Sequence, residues 1–265
     1  MYSSFQLAKK YLHYYLSASN GKGHGIHSPF VFDFVKNVLN DKTDYTNFRP
    51  IEQKRKALLI DNTVIEVEDF GAGSSVIKTN KRMVSAIAAS SLKPKKYAQL
   101  LYRIVKYYKL QTIVELGTSF GITTAYLASA NAASKVFTCE GSAAIAAIAK
   151  QNFEALQLNK VQLTEGDFAE TLSPLLASLT TINFAFVDGN HYKEPTLHYF
   201  NQLLGHSTSS TILVFDDIHW SAEMEEAWHS IKQHSQVTLT IDLFFIGIVF
   251  INPDFKIAQH FVLGF

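Results

Sequence analysis

The sequence is poor in several features, and each shortage narrows what the chain can be. A single cysteine, Cys139, in 265 residues excludes an internal disulfide and a cysteine-based zinc site, and it suits a reducing compartment. Net charge is almost absent, +1 at pH 7, so bulk attraction to nucleic acid or to a membrane has no basis in the whole molecule. Long apolar runs are missing too. The longest, near "FFIGIVFI", is too short to cross a bilayer, and lysines interrupt "MYSSFQLAKKYLHYYL" before any continuous apolar segment of a secretory signal can form. No fixed-period repeat and no low-complexity tract occurs. The expectation is a cytoplasmic protein with neither a membrane nor a nucleic acid as partner.

What is present is a large apolar share, 47%, enough for one substantial core or a catalytic domain with a smaller extension. From about Lys109 onward, β-type runs alternate with helical patterns. "TIVELG" precedes "ITTAYLASA", "KVFTCEG" precedes "SAAIAAIAKQNFEAL", and "VQLTEGD" precedes "FAETLSPLLASL". "INFAFVDG" then leads to "EPTLHYFNQLL", and "STILVFDD" to "SAEMEEAWHSIKQH". Strands this apolar are buried on both faces, and the alternation predicts βαβ units around a parallel sheet. The rhythm breaks at "VTLTIDLF" and "IGIVFINP", which leave room only for a tight turn and so pair antiparallel.

The first hundred residues read as helices: "SFQLAKKYLHYYLS", then "SPFVFDFVKNVLN" started by Pro29, then "RPIEQKRKALLI". "TVIEVEDF" predicts a short strand, and "KYAQLLYRIVKYY" a helix leading into the first core strand. The expected organisation is an N-terminal helical cap or substrate-recognition region over 1–96 and a catalytic domain over 97–265. The aromatic cluster "YLHYYL" reads as core packing or a homodimer contact. The charges between Asp69 and Glu115, which include Lys93, Lys95, Lys96 and Arg103, are all basic and read as a solvated helix face.

Two stretches compete for a ligand. "VELGTSFGITTAYLA", Val114 to Ala128, and "VEDFGAGSS", Val67 to Ser75, each run from an acid into a glycine turn. A nucleoside is commonly held by an acid at the end of the second strand, about 20 residues beyond the turn. Glu140 in "CEG" occupies that place after the first stretch, whereas no acid follows the second until Glu115. The nucleoside site is therefore expected at Gly117 through Gly121, where glycines let backbone approach a ligand and a helix approach a strand. Ser119 stands where a dinucleotide fingerprint places its middle glycine, which disfavours a pyrophosphate and an NAD-dependent oxidoreductase. S-adenosylmethionine carries no phosphate, and the acids Glu115 and Glu140 suit it.

"VELGTSFGITTAYLA", "CEG", "EGDF", "FVDGNHY" and "ILVFDDIHW" together resemble a class I S-adenosylmethionine-dependent methyltransferase, nearest the catechol O-methyltransferase-like small-molecule O-methyltransferases. The likeness runs from about Tyr97 to Pro253. It implies an α/β, Rossmann-like, doubly wound and mostly parallel seven-stranded sheet ending in an antiparallel hairpin. It also implies a small-molecule methyl acceptor. Gly117, Thr118 and Ser119 would line the methionine end of the cofactor, with Glu140 on the ribose, Gly141 near the adenine, and Asp167 and Phe168 at its edge and face. Asp167 also reads as a helix-capping residue, with Glu170 three positions on.

In the resembling enzymes a divalent cation is held by an acid after the fourth strand and an Asp-Asn pair after the fifth. The matching positions are Asp188, Asp216 and Asp217, with Asp217 in place of the usual Asn; such oxygen donors would hold Mg²⁺. The same acids also read as strand-end caps. His191 is the first choice for general base because its ordinary pKa lies near physiological pH. His219 and Lys193 are the other candidates, and His24 and His27 lie in a loop of the helical region. Transfer to nitrogen or carbon without metal, and a non-catalytic cofactor-binding scaffold, remain the alternative readings.

Overall fold

Ser3 opens the first helix, α1 (Ser4–Ser17), with a capping box: its side chain accepts from the Gln6 N–H, and the Gln6 side chain accepts from the Ser3 N–H. α2 (Pro29–Phe34) begins as its proline predicts, capped by Ser28, and continues as a π-helical turn over Val35–Leu39. α3 is Phe48–Leu59. The computed structural model describes residues 1–19, 21, 27–67 and 80–265. His24 and the glycine turn of "VEDFGAGSS" from Glu68 onward lie outside the described residues.

The short strand expected in "TVIEVEDF" is β1 (Val64–Glu66), paired antiparallel with β2 (Lys81–Met83). α4 (Val84–Ser91) and α5 (Lys95–Tyr107) follow. α5 buries Tyr97, Leu100, Leu101, Ile104 and Val105, a spacing of three and four residues that gives one apolar face. Each such side chain contributes roughly 1.5–3 kcal/mol by leaving water.

The alternating part follows the expected order. It runs β3 (Thr112–Leu116), α6 (Ile122–Ser129), β4 (Lys135–Glu140), α7 (Ala143–Ala155), β5 (Val161–Glu165) and α8 (Phe168–Ala177). Then come β6 (Ile182–Val187), α9 (Lys193–Gly205), β7 (Ser207–Asp216) and α10 (Ala222–Gln233). β8 (Leu239–Asp242) and β9 (Ile246–Phe250) form the expected antiparallel pair, and β10 (Gln259–Val262) follows.

The sheet order is β10-β8-β9-β7-β6-β3-β4-β5. It holds eight strands and not the seven expected, because β10 adds to β8 in parallel. β10 is four residues long with alternating half-exposed positions, which is too short a pattern to stand out in sequence. β9, between β7 and β8, is antiparallel to both.

The chain divides into two compact units, Met1–Lys42 with Leu179–Phe265, and Thr43–Ser178. In the first, Phe184, Phe186, Phe200, Val214, Phe215, Trp228 and Ile248 are buried around β6, β7 and β9. In the second, Leu101, Ile113, Val114, Leu116, Leu127 and Val136 form the interior around β3 and β4. No described helix is long and apolar enough to cross a membrane.

Candidate active site

The glycine turn after β3 is a fixed structure. The N–H groups of Gly117 and Thr118 both donate to the Cys139 carbonyl, at 3.0 and 3.2 Å. The backbone then turns through positive φ at Gly117 (100°), Ser119 (48°) and Gly121 (78°). Gly121 is required twice over: its left-handed conformation disfavours a side chain, and a Cβ there would lie 2.3 Å from the Phe153 ring. Ser119 is the one residue of the three that pays for this conformation with a Cβ, and its N–H donates to Glu140 Oε2 at 2.8 Å.

Glu140, at the end of β4, therefore holds the turn as well as facing the place where a ribose is expected. Its other oxygen accepts the Ser142 N–H at 3.1 Å. Burial raises its pKa above the ordinary 4.5, and the N–H groups of Ser142, Ser119 and Gly141 offset part of that rise. A carboxylate oxygen has more than one acceptor direction, so each can still take a ribose hydroxyl.

Beneath the turn lies a buried polar chain that sequence reasoning did not resolve. Glu115 is fully buried, and its Oε2 accepts from Thr124 Oγ1 at 2.5 Å and Thr138 Oγ1 at 2.7 Å. Thr138 also bonds Thr118 Oγ1 at 2.6 Å. Glu115 and Thr118 thus support the turn from inside, linked through Thr138. Ser91, the last residue of α4, meets Ser119 Oγ at 2.9 Å; nothing in its sequence neighbourhood signals this. Asp167 caps α8, accepting the Ala169 N–H at 2.8 Å, and the preceding Gly166 N–H donates to the Glu140 carbonyl at 2.9 Å. That bond ties Gly141 and the stretch around Phe168 to neighbouring strand ends.

The other unit carries the second cluster. Asp188 directly follows β6 and Asp216 ends β7, so both acids stand at strand carboxyl ends. The loop after β6 then takes positive φ at two consecutive non-glycine residues, Asn190 (64°) and His191 (31°). Asn190 Nδ2 is tied to the Tyr199 hydroxyl at 2.5 Å. The effect is to turn His191 back on its own strand: one ligand atom each from Asp188, His191 and Asp216 lies within 4.8 Å of the others. His191 Nε2 is 3.7 Å from Asp188 Oδ1, beyond a hydrogen bond.

Asp217, the third oxygen donor implied by the resemblance, is not in this group. Its backbone is left-handed (φ 53°) and its N–H donates to the Phe245 carbonyl at 2.7 Å. His191 lies with Asp188 and Asp216 instead. The residues fit a divalent cation: the two carboxylates suit Mg²⁺ or Mn²⁺, and the imidazole moves the set toward a transition metal such as Zn²⁺.

The remaining base candidates are engaged elsewhere. Lys193 Nζ pairs with Glu226 at 2.9 Å, and that hydrogen bond raises its pKa, which keeps it protonated. His219 lies between two carboxylates, with Nδ1 at 2.9 Å from Glu225 and Nε2 at 2.9 Å from Asp242, and stacks on Phe244. Burial alone would lower its pKa, but Asp242 and Glu225 outweigh it and the net shift is upward. With both nitrogens donating, the ring has no lone pair for a substrate proton. His27 is exposed.

Residues 114–218, from β3 to just past Asp217, match the family model described as a methyltransferase domain. Among solved structures, the chain is similar to the O-methyltransferase from Bacillus cereus in complex with SAH, at 20% identity over 83% of this chain and 97% of that one, TM-score 0.56. It is also similar to the SAH-bound methyltransferase PaMTH1 of Podospora anserina, at 11% identity over 95% and 97% of the two chains, TM-score 0.58. A third is the O-methyltransferase TomG of Streptomyces achromogenes, involved in tomaymycin synthesis and in complex with SAM, at 17% identity over 84% and 96%, TM-score 0.54. At these identities the likeness establishes the fold. Comparison with curated proteins gives no match.

Proposed function

We propose that this protein moves the methyl group of S-adenosylmethionine to an oxygen of a small-molecule acceptor, with a divalent cation held by Asp188, Asp216 and His191. The observation that carries the reading is the convergence of these three side chains at the ends of β6 and β7. A bound cation would lower the pKa of an acceptor hydroxyl. Glu140 accepts the ribose hydroxyls, and the turn from Gly117 to Gly121 orients the methionine end. Methyl transfer is an in-line displacement, so this positioning supplies much of the rate. The support for an oxygen acceptor is the pair of carboxylates in the donor set together with the O-methyltransferases among the similar structures. The helices of the first hundred residues are the region left to choose the acceptor.

The test is methyl transfer from labelled S-adenosylmethionine to a panel of catechols and other vicinal oxygen donors, with and without a chelator. Product formation that the chelator abolishes and Mg²⁺ or Mn²⁺ restores is the expected result. Transfer that ignores the chelator would instead make His191 a general base oriented by Asp188, and no transfer to any acceptor alongside tight cofactor binding would favour the scaffold reading.

A further inference from the structure

Helix α1 has two apolar faces, and only one is covered. On the covered face, Tyr11 packs on Phe244 and Phe245 with ring centroids 5.1 and 5.7 Å apart, and Tyr14 lies 5.3 Å from Phe244. The buried Tyr14 hydroxyl donates to the Leu263 carbonyl. Lys10 Nζ and the Tyr2 hydroxyl both reach Glu225, at 2.9 and 2.7 Å. This face fixes the helix to its unit.

The other face is Phe5, Ala8, Leu12, Tyr15 and Leu16, at helical intervals of three and four. Phe5 is 80% exposed, Leu12 58%, Tyr15 67% and Leu16 75%. Large apolar side chains of this size present roughly 500 Å² together. A patch of that extent on one rigid helix marks an interaction surface.

We infer that this stripe is the interface with a second copy of the chain, the two α1 helices packing antiparallel about a two-fold axis. The pattern is complementary to itself. With the axis near Lys10, Phe5 of one copy meets Tyr15 and Leu16 of the other, and the gap over Ala8 receives Leu12. Small opposite large is what lets two helices interdigitate. The stripe supplies well over half of the ~800 Å² per partner in a standard interface, and flanking Gln6, Lys9 and His13 supply a polar rim. A lipid surface is a poorer match. Helices that lie on membranes carry rows of Lys or Arg beside the apolar face, whereas the flanks here are Ser4, Gln6, His13 and Ser17 with Lys9, and Lys10 is held by Glu225.

The experiment is sedimentation velocity of the full chain at about 10 μM, for the wild type and for Leu12→Glu/Leu16→Glu. The wild type sediments at twice the 29.7 kDa of the chain. The double variant, folded by circular dichroism, is a monomer, with the dimer dissociation constant raised at least about 100-fold. A second variant, Phe5→Cys/Leu16→Cys, gives a disulfide-linked dimer under mild oxidation. Its two positions lie about 16 Å apart along one helix and cannot join within a chain, and native Cys139 is buried. A monomeric wild type, a dimer that survives the glutamates, absence of the crosslink, or a monomer that cosediments with anionic phospholipid vesicles each overturns the proposal.

Discussion

His191 and His219 both stand among carboxylates at the ends of neighbouring strands, yet the two loops use the same residue types for different ends. Around His219, both ring nitrogens are at hydrogen-bond distance, and the partners are themselves saturated. Asp242 also accepts from Trp228 Nε1 at 3.1 Å and the Phe244 N–H at 2.8 Å, and Glu225 accepts from Tyr2 and Lys10. That cluster is a joint binding α1, α10 and β8. Around His191 the nearest carboxylate is 3.7 Å away, and the residue is placed by left-handed backbone instead of by a hydrogen bond to that acid. Histidine hydrogen-bonded between two carboxylates holds a fold together, and histidine close to two acids without such a bond is left with ring nitrogens for a ligand.

Substitutions should separate the two clusters, and the largest effect is expected at the second. Asp188→Asn should lower cation-dependent turnover by about 1,000-fold, since a bound cation contributes several kcal/mol to the reaction, while the melting temperature stays near wild type; kinetics and calorimetry on one preparation check both. His219→Ala should do the opposite. It leaves Asp242 and Glu225 short of a partner and costs about 2–4 kcal/mol of stability in denaturant titration, with SAH affinity unchanged. If turnover collapses while stability holds, the assignment of roles is reversed.

Gly121→Ala tests the cofactor turn. It combines a left-handed backbone with a methyl driven against Phe153, so a loss of about 2 kcal/mol in stability and weaker SAH binding are expected. A smaller effect comes with pH. The raised pKa of Glu140 means the folded state holds that proton more tightly than the unfolded chain. Its contribution to stability therefore falls as pH rises from 4.5 through the folded value. SAH affinity runs the other way, because the ribose hydroxyls need the ionised carboxylate: it weakens as pH drops through the same raised value, and Glu140→Gln should flatten that dependence. Smallest of all is Asp217→Asn. Asn tolerates the left-handed backbone equally well, so less than about 0.5 kcal/mol in stability and little change in cation affinity are expected. A large change in cation affinity would return Asp217 to the donor set.

Much of this was legible in sequence, for identifiable reasons. Strands buried on both faces, such as β6 and β9, are continuous apolar runs, and the missing crossover between β8 and β9 can only be a hairpin. Glu140 stands out in sequence because a second strand ends at a set distance from the glycine turn, and its bond to the Ser119 N–H ties it to that turn. β10 and the short α4 were not found, since four or eight residues without strong periodicity carry little signal. That His191, and not Asp217, lies beside Asp188 and Asp216 was also hidden. It depends on which of two adjacent loops takes positive φ at Asn190, His191 and Asp217, and no residue type writes that down in advance. The aromatic cluster of α1 illustrates the same limit: Tyr11 and Tyr14 are covered while Leu12, Tyr15 and Leu16 are not, and composition alone cannot divide them.

The most direct test is calorimetric titration of chelator-treated protein with Mg²⁺ and Mn²⁺ at saturating SAH, for wild type and Asp188→Asn. One cation per chain, lost in the variant while SAH still binds, is the predicted result. SAH binding with no cation bound in either protein would contradict the cluster at Asp188, His191 and Asp216 as a metal site.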